Sequence, residues 1–446
     1  MTNPFWPELS AAFGIDPARY RETQDGGLTS AFRVTDLAAA SIGVAGAALS
    51  HWCGGISGRP AQVDRRYASF WFGMSIRPQG WNLPPPWDPI AGDYRTRNGW
   101  IRLHTNAPHH RQAALSVLGP YDNREQLART VAGWDGAELE EAIVAVGGCA
   151  AVMHDMAQWA AHPQGQAVAS EPLLHETLFG CDSAWKKKID PARPLAGIRV
   201  LDLTRVLAGP VASRFLAAYG ADVLRIDPPR WEEPGVVPEV TLGKRCAGLD
   251  LHARDDRAIF ETLLSTCDVF LHGYRADALV RLGFDDEAVR GLNPGLVDVA
   301  LNAYGWSGPW ASRRGFDSLV QMSCGIAASG MDWADAQQPT PLPVQALDHA
   351  TGYFLAAAVI KGLRARQQGQ GYRVRLSLAR TAKLLMDHRA VVEPGMPGES
   401  EADIDPTIEQ TQWGPARRVR FPLTLAGVPA RWERAAAGLR SSPPCW

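Results

Sequence analysis

Residues 194–227, PLAGIRVLDLTRVLAGPVASRFLAAYGADVLRID, constrain the fold more than any other part of the chain. Positions 198–203 form a short apolar run with the density of a buried parallel strand. A turn follows at 204–210, where Gly209 permits close backbone approach and Pro210 suits the first turn of a helix. Apolar residues recur at helical spacing over 211–219, Gly220 ends that helix, and 223–226 is a second strand. This is one βαβ unit, and it begins only at residue 198 of 446. A chain of this length carries two or more domains, so something else occupies positions 1–190.

The second half continues the alternation. Strands are expected at 199–203, 223–226, 247–250, 269–272 and 296–301, and helices at 211–219, 254–265, 279–282 and 318–329. That order predicts a doubly wound parallel sheet. The proline-rich tail from Gly395 to Trp446 is expected to wrap back over it irregularly. In the first half, 31–52 is a small-residue helix, and 58–72 is a turn leading into a strand or a second buried element. A Pro/Trp-rich loop spans 78–89, and a hairpin strand at 98–104 follows an Asn-Gly turn. Helices are expected at 111–118, 124–134 and 137–146. The charged, proline-bounded segment 186–194 is the best linker candidate.

Composition excludes several classes. A net charge of −2 without basic clusters leaves no electrostatic footprint for nucleic acid or a membrane surface. No apolar run approaches the roughly 18 residues of a membrane span, and the start, MTNPFWPE, lacks the basic and apolar regions of a signal peptide. The seven cysteines are odd in number, scattered and without a CxxC pair, which argues for reduced thiols in a cytoplasm and against a metal site. The sixteen tryptophans are read as packing.

An internal repeat links the halves. VTDLAAASIGVAGAAL (34–49) is similar to ALDHATGYFLAAAVI (346–360), and each leads through a Gly-containing turn to a valine. The interval from Asp36 to Val63 nearly equals the interval from Asp348 to Val374.

Six motifs in order then resemble the class III CoA-transferase family, the group of formyl-CoA transferase, carnitine CoA-transferase and α-methylacyl-CoA racemase. They are LDLTRVLAGP (201–210), LGKRCAGLDL (242–251), HGYRADALVRLG (272–283), NAYGWSGP (302–309), GFDSLVQ (315–321) and LDHATG (347–352) running into 355–366. Together they cover about 195–385. The first half resembles a later portion of the same family, with DYRTRNGWIRL (93–103) in its small domain. The resemblance therefore implies a partial family copy carrying the small domain at 1–190. A Rossmann-like CoA-binding large domain would follow at 191–446, with the catalytic aspartate and the wrapping tail. The fold class expected is thus α/β, a large domain plus a smaller α+β domain in rearranged order, small-domain half first. An interlocked homodimer is implied by resemblance only.

The resemblance assigns roles to residues. Asp348 falls where the family's nucleophile attacks the acyl-CoA thioester, giving an aspartyl mixed anhydride and then an aspartyl-CoA thioester; an acceptor carboxylic acid completes the exchange. A carboxylate is a poor nucleophile in water and needs positioning beside oxyanion donors. Taken alone, Asp348 is as well explained as a helix N-cap. Asp36 holds the equivalent place in the first copy and is read as a relic cap. For coenzyme A, the resemblance implies Val206 and Leu207 beside the pantetheine and Tyr274, Arg281 and Leu282 around adenine and ribose. It implies Arg314 at the nucleotide end, with Arg230 and Lys244 as further phosphate candidates. No metal and no NAD are expected.

Leu207 replaces the glutamine of formyl-CoA transferases, which suggests a more apolar acyl group. Trp306, Trp310, Phe316 and Trp333 hint at a bulky one, sterol- or fatty-acid-derived. Phe316 stands where racemases of the family carry an acid–base histidine, and His349 points about 100° away from Asp348, so racemisation is disfavoured. A dinucleotide-dependent dehydrogenase needs three glycines where 207–212 has one. An acyl-CoA isomerase, or an inactive CoA-binding paralogue, stays open as an alternative to CoA transfer.

Overall fold

The computed structural model describes residues 3–54, 60–121, 123–181, 187, 189–274, 277–388 and 395–446. Gly58 and, of the expected linker 186–194, positions 186 and 188 lie outside these.

A seven-stranded sheet organises the molecule. Its spatial order is Arg245–Gly248, Asp222–Asp227, Arg199–Leu203, Val269–His272, Val297–Asn302, Gln370–Ser377 and His175–Gly180. All neighbours are parallel except the last pair, in which His175–Gly180 runs antiparallel to Gln370–Ser377. With successive side chains on opposite faces and both faces covered, the central strands alternate apolar residues between two cores. Val200 faces a core built with the helices Val34–Trp52, Ala208–Ala218 and Ala346–Gln367. Leu201 and Leu203 face the opposite core, with Phe260, Leu263 and Leu264 of the helix Arg254–Thr266. Both faces are covered, so the polar strand residues Asp202, Arg225 and Asp298 are buried in ion pairs.

The strands at 199–203 and 269–272 match their sequence expectation residue for residue. The strands Gln370–Ser377 and His175–Gly180 were not anticipated as such; the second is an exposed edge whose side chains lack apolar alternation. The single helix expected at 318–329 is two, Asp317–Ser323 and Ile326–Trp333, separated by Gly325 at φ 90°. A β-carbon there would lie 2.5 Å from the amide nitrogen of Met156, so the bend needs glycine.

A smaller unit carries an antiparallel sheet, Gly92–Arg95, Trp100–Leu103 and Ala150–Val152. It packs on the helices Pro108–Leu118, Arg124–Ala132 and Gly136–Ala145 through their leucine, isoleucine and valine side chains. Cys149 and Ala151 join it to Leu319 and Met322 of the large unit.

The segment ahead of the Pro/Trp-rich loop does not form a separate body. The helix Val34–Trp52 is buried along its length, His51 excepted, in one core with Ala346–Gln367. The tail closes over both: Leu423–Thr424 pairs with Ala61–Asp64, and Gly414–Arg418 pairs with Ile76–Pro78. No described helix is long and apolar enough to cross a membrane, and no group of three or more metal-ligating side chains occurs among the described residues.

Candidate active site

In an open parallel sheet, the crevice at the carboxyl ends of the strands opens where the strand order reverses. Here the chain moves outward from Arg199–Leu203 through two strands, then returns to place Val269–His272 on its other side. The reversal lies between these two strands, and Thr204, Val206, Gly273 and Tyr274 at their ends line a cavity of about 330 Å³.

The turn after the first strand is held from beneath. The Asp202 carboxylate is fully buried and accepts from the Thr204 amide at 2.9 Å, from the Thr204 and Ser213 hydroxyls, and from Lys244 Nζ at 3.3 Å. Burial pushes its pKa up, but Lys244 and these hydroxyls win and hold it below the ordinary carboxylate range. Val206 sits at φ 63°, a strained place for a β-branched residue. Its amide donates to Glu233 at 2.8 Å; Glu233 also accepts from Trp231 Nε1 at 2.9 Å and pairs with the buried Arg225. Strain kept at a ligand-facing turn by buried partners is a recurrent property of functional sites.

Asp348 enters the same cavity from the third position of the helix Ala346–Gln367. The sequence allowed an N-cap here, but the N-cap is Gln345, and the Asp348 carboxylate accepts no hydrogen bond from the described residues. Its backbone amide instead donates to Asp317 at 2.9 Å, and the other Asp317 oxygen accepts from Gln321 Nε2. Burial pushes Asp317 up to about 6 against these hydrogen bonds. Burial first, then the Asp317 charge, raises Asp348 well above the ordinary carboxylate range. Two carboxyls in one dry corner cannot both ionise cheaply.

Asp36 makes the comparison sharp. It too is the third residue of its helix, and the preceding residues match in conformation: φ −76°, ψ 61° at Arg33 and φ −74°, ψ 65° at Gln345. Yet its carboxylate is engaged by Arg33 at 3.2 Å and by Arg65, and it borders no part of the cavity. It is a buried ion-pair member rather than a cap.

Of the residues assigned from sequence to catalysis and CoA binding, Val206, Tyr274, Arg314 and Asp348 line the cavity. The others do not. Leu207 is 4% exposed and packs into the core beneath the turn, so the glutamine-to-leucine difference does not shape the cavity wall. Lys244 is fully buried on Asp202 and the Pro210 carbonyl, which leaves its ammonium no route to a phosphate. Burial lowers it to about 8. Arg281 pairs with Asp277 on an exposed helix, Leu282 packs beside Tyr274 on the second core, and Arg230 is exposed in the loop before Trp231. Trp306, Trp310 and Trp333 lie elsewhere; Phe316 alone of those four aromatics reaches the cavity. His349 is buried against Phe72, ring centroids 5.0 Å apart, and takes no part.

Sequence reasoning missed the contribution of the first half. His109 and His110, opening the helix Pro108–Leu118, line the cavity that holds Asp348. His110 is 3% exposed, with Nδ1 buried and without a partner. Burial, then His109, holds its pKa down at about 3, so the ring is neutral. Its ring meets Phe316 edge-on at 5.7 Å, and His104 stacks on the same phenyl at 3.8 Å. A His-His pair behind an Ala-Pro turn was the available signal, but the fold that carries it to Asp348 is not written in its spacing. Arg205, also missed, spans Tyr274 and Trp231 with its guanidinium 5.0 and 4.7 Å from their ring centroids and donates to the Tyr274 hydroxyl. With Arg313 and Arg314 it makes this end of the cavity cationic.

Known proteins resemble the chain along part of its length. A probable fatty acyl-CoA transferase of Mycobacterium tuberculosis, Rv3272, is 34% identical over 40% of this chain and 48% of its own length. A succinate–glutarate CoA-transferase of Agrobacterium fabrum is 32% identical over 42% of this chain and 51% of its own. An acyl-CoA transferase of Gibberella moniliformis is 26% identical over 76% and 67% respectively. The chain thus spans about half to two thirds of the length of these curated relatives. A crystal structure of Rv3272 aligns with 31% identity over 44% of this chain and 58% of that one, at a TM-score of 0.41. Residues 195–421, just over half of the chain, match the sequence model of CoA-transferase family III, and the chain belongs to that family.

Proposed function

We propose that the protein is a CoA-transferase that moves CoA from an acyl-CoA thioester to a carboxylic acid, with Asp348 as nucleophile. The observation that carries this is the Asp348 carboxylate itself, buried, free of hydrogen bonds from the described residues, and facing a cavity at the sheet's reversal point. A carboxylate left unsatisfied in a dry site costs stability, and such a cost is retained where chemistry needs it.

An Asp348 oxygen attacks the thioester carbonyl, the C–S bond breaks, and CoA leaves as thiolate from an aspartyl–acyl mixed anhydride. The thiolate attacks the aspartyl carbonyl and expels the acyl group as its carboxylate, leaving an aspartyl-CoA thioester. The acceptor carboxylate repeats the two steps in reverse, so Asp348 is regenerated and the thioester energy is conserved without ATP. The first-turn amides of the helix Ala208–Ala218, unused by helical bonding, and the neutral His110 ring are donors suited to the oxyanion of each tetrahedral intermediate. Arg205 and Arg314 suit the phosphates of CoA.

The test is intact mass after incubation with a panel of acyl-CoAs, with hydroxylamine trapping. Wild type is expected to gain a CoA or acyl adduct and Asp348→Ala none; equal labelling of both, or no labelling despite CoA binding, would sink the proposal. A second reading, α-proton exchange, draws on His110 beside Asp348. Its depressed pKa makes the ring a poor base, which favours transfer.

A further inference from the structure

A second cavity of about 220 Å³ adjoins the first, and Val206, Trp231 and Phe316 border both. Its other walls are Pro85, Pro86 and Trp87 of the proline-rich loop and Val236 of the loop after Asp222–Asp227. We propose that this chamber receives the acyl group of donor and acceptor, and that it selects uncharged apolar acids over dicarboxylic ones; the inference rests on the transferase reading of Asp348.

The two adjoining cavities divide by charge. Arg205, Arg313 and Arg314 line the first, which suits the phosphates of CoA, whereas no arginine or lysine is among the described residues lining the second. The ionisable groups there are Asp88, Glu232, Glu233 and His104. Each carboxylate is already engaged: Asp88 by the Thr105 hydroxyl at 2.7 Å, the Ile90 amide at 3.1 Å and Arg111 at 3.6 Å, Glu232 by Arg440, and Glu233 by Arg225, Trp231 and Val206. His104 is buried and stacked on Phe316, and burial holds it neutral at a pKa of about 3. A succinyl or glutaryl group entering here would bring its second carboxylate among three others that already engage the nearby arginines, Arg111, Arg440 and Arg225. An isolated charge taken out of water without a partner is strongly disfavoured. An aliphatic or aromatic acyl group meets proline, tryptophan and phenylalanine faces instead.

The experiment measures CoA exchange by the wild-type full chain with hexanoyl-, benzoyl-, succinyl- and glutaryl-CoA as donors, each with hexanoate and glutarate as acceptors. The expected kcat/KM for the uncharged donors exceeds that for the dicarboxylic ones by at least about 100-fold. Val236→Arg, which sets a cation on the chamber wall, is expected to narrow that ratio by at least about tenfold through faster succinyl and glutaryl transfer. Equal or preferred use of succinyl- or glutaryl-CoA by wild type overturns the substrate class and leaves the transferase reading standing. A folded Val236→Arg variant with an unchanged ratio overturns the location of the chamber. Exchange with none of the four donors, while CoA still binds, overturns the transferase reading and the inference together.

Discussion

The Asp348 and Asp317 carboxyls work against each other, and that opposition sets how the site should respond to pH. The nucleophile must be ionised, while burial and the Asp317 charge both favour its protonated form. The rate should therefore fall as pH drops through a pKa well above that of an ordinary aspartate. Asp317→Asn keeps an oxygen to accept the Asp348 amide but removes the like charge, so the acid limb of kcat/KM should move to lower pH. Rates between pH 4.5 and 8 check this, and an unmoved limb would mean that Asp317 acts only through geometry. Stability should mirror activity. Both carboxyls bind their protons more tightly folded than unfolded, so their favourable contribution is complete below the ordinary aspartate pKa of 3.8 and is lost as pH rises, for Asp317 through about 6. Asp348→Asn should then melt about 1–3 °C above wild type at pH 8 and level with it near pH 4. Asp348 was legible in the sequence because a motif surrounds it. Its lack of a capping role was not, since the cap is set by the turn at Gln345, three residues ahead of Asp348, which side-chain type does not reveal.

At the scale of elements, the site depends on how closely two helices approach. A β-carbon on Gly352 would lie 2.5 Å from the Ala208 carbonyl oxygen and 2.8 Å from the Val211 β-carbon. The helix that carries Asp348 thereby touches the one that begins at the Val206 turn. Gly352→Ala forces them apart, with an expected cost of about 1–3 kcal/mol in chemical denaturation. It should also depress kcat by moving the nucleophile relative to the turn. Full activity in a destabilised variant would show that the crossing serves packing alone. The elements most legible in the sequence were those whose environment is uniform. Arg199–Leu203 and Val269–His272 are buried on both faces beyond Arg199, which selects for a mostly apolar run. The edge strand His175–Gly180 was not legible, because its exposed residues are specified by pairing with Gln370–Ser377, far along the chain. Phe316 was legible as a missing acid–base histidine, but not as the phenyl between His104 and His110, because those rings arrive from another unit.

Across the whole molecule, the decisive question is which copy of the chain completes the site. Sequence motifs placed the proposed nucleophile in the second half and left the role of residues 1–190 undecided between the same chain and a partner. In the structure His109 and His110 reach the cavity of their own chain, and the helix Val34–Trp52 shares a core with the helix of Asp348. Contacts of this kind join opposite halves of the chain, which no local pattern encodes. A site completed within one chain makes a definite prediction for mixtures of defective chains. Asp348→Ala should abolish transfer, and His110→Ala, which removes one oxyanion donor, should lower kcat/KM about 100-fold. If each chain completes its own site, co-expression of the two variants in equal amounts leaves every site with one lesion, and the rate per chain is about half of that of His110→Ala alone. If a partner's first half completed the site, random pairing in a symmetric dimer would rebuild about a quarter of the sites with neither lesion. The measured rate of the co-expressed pair, against each variant alone, distinguishes these outcomes. Recovery to about a quarter of wild type would overturn assembly of the site within one chain.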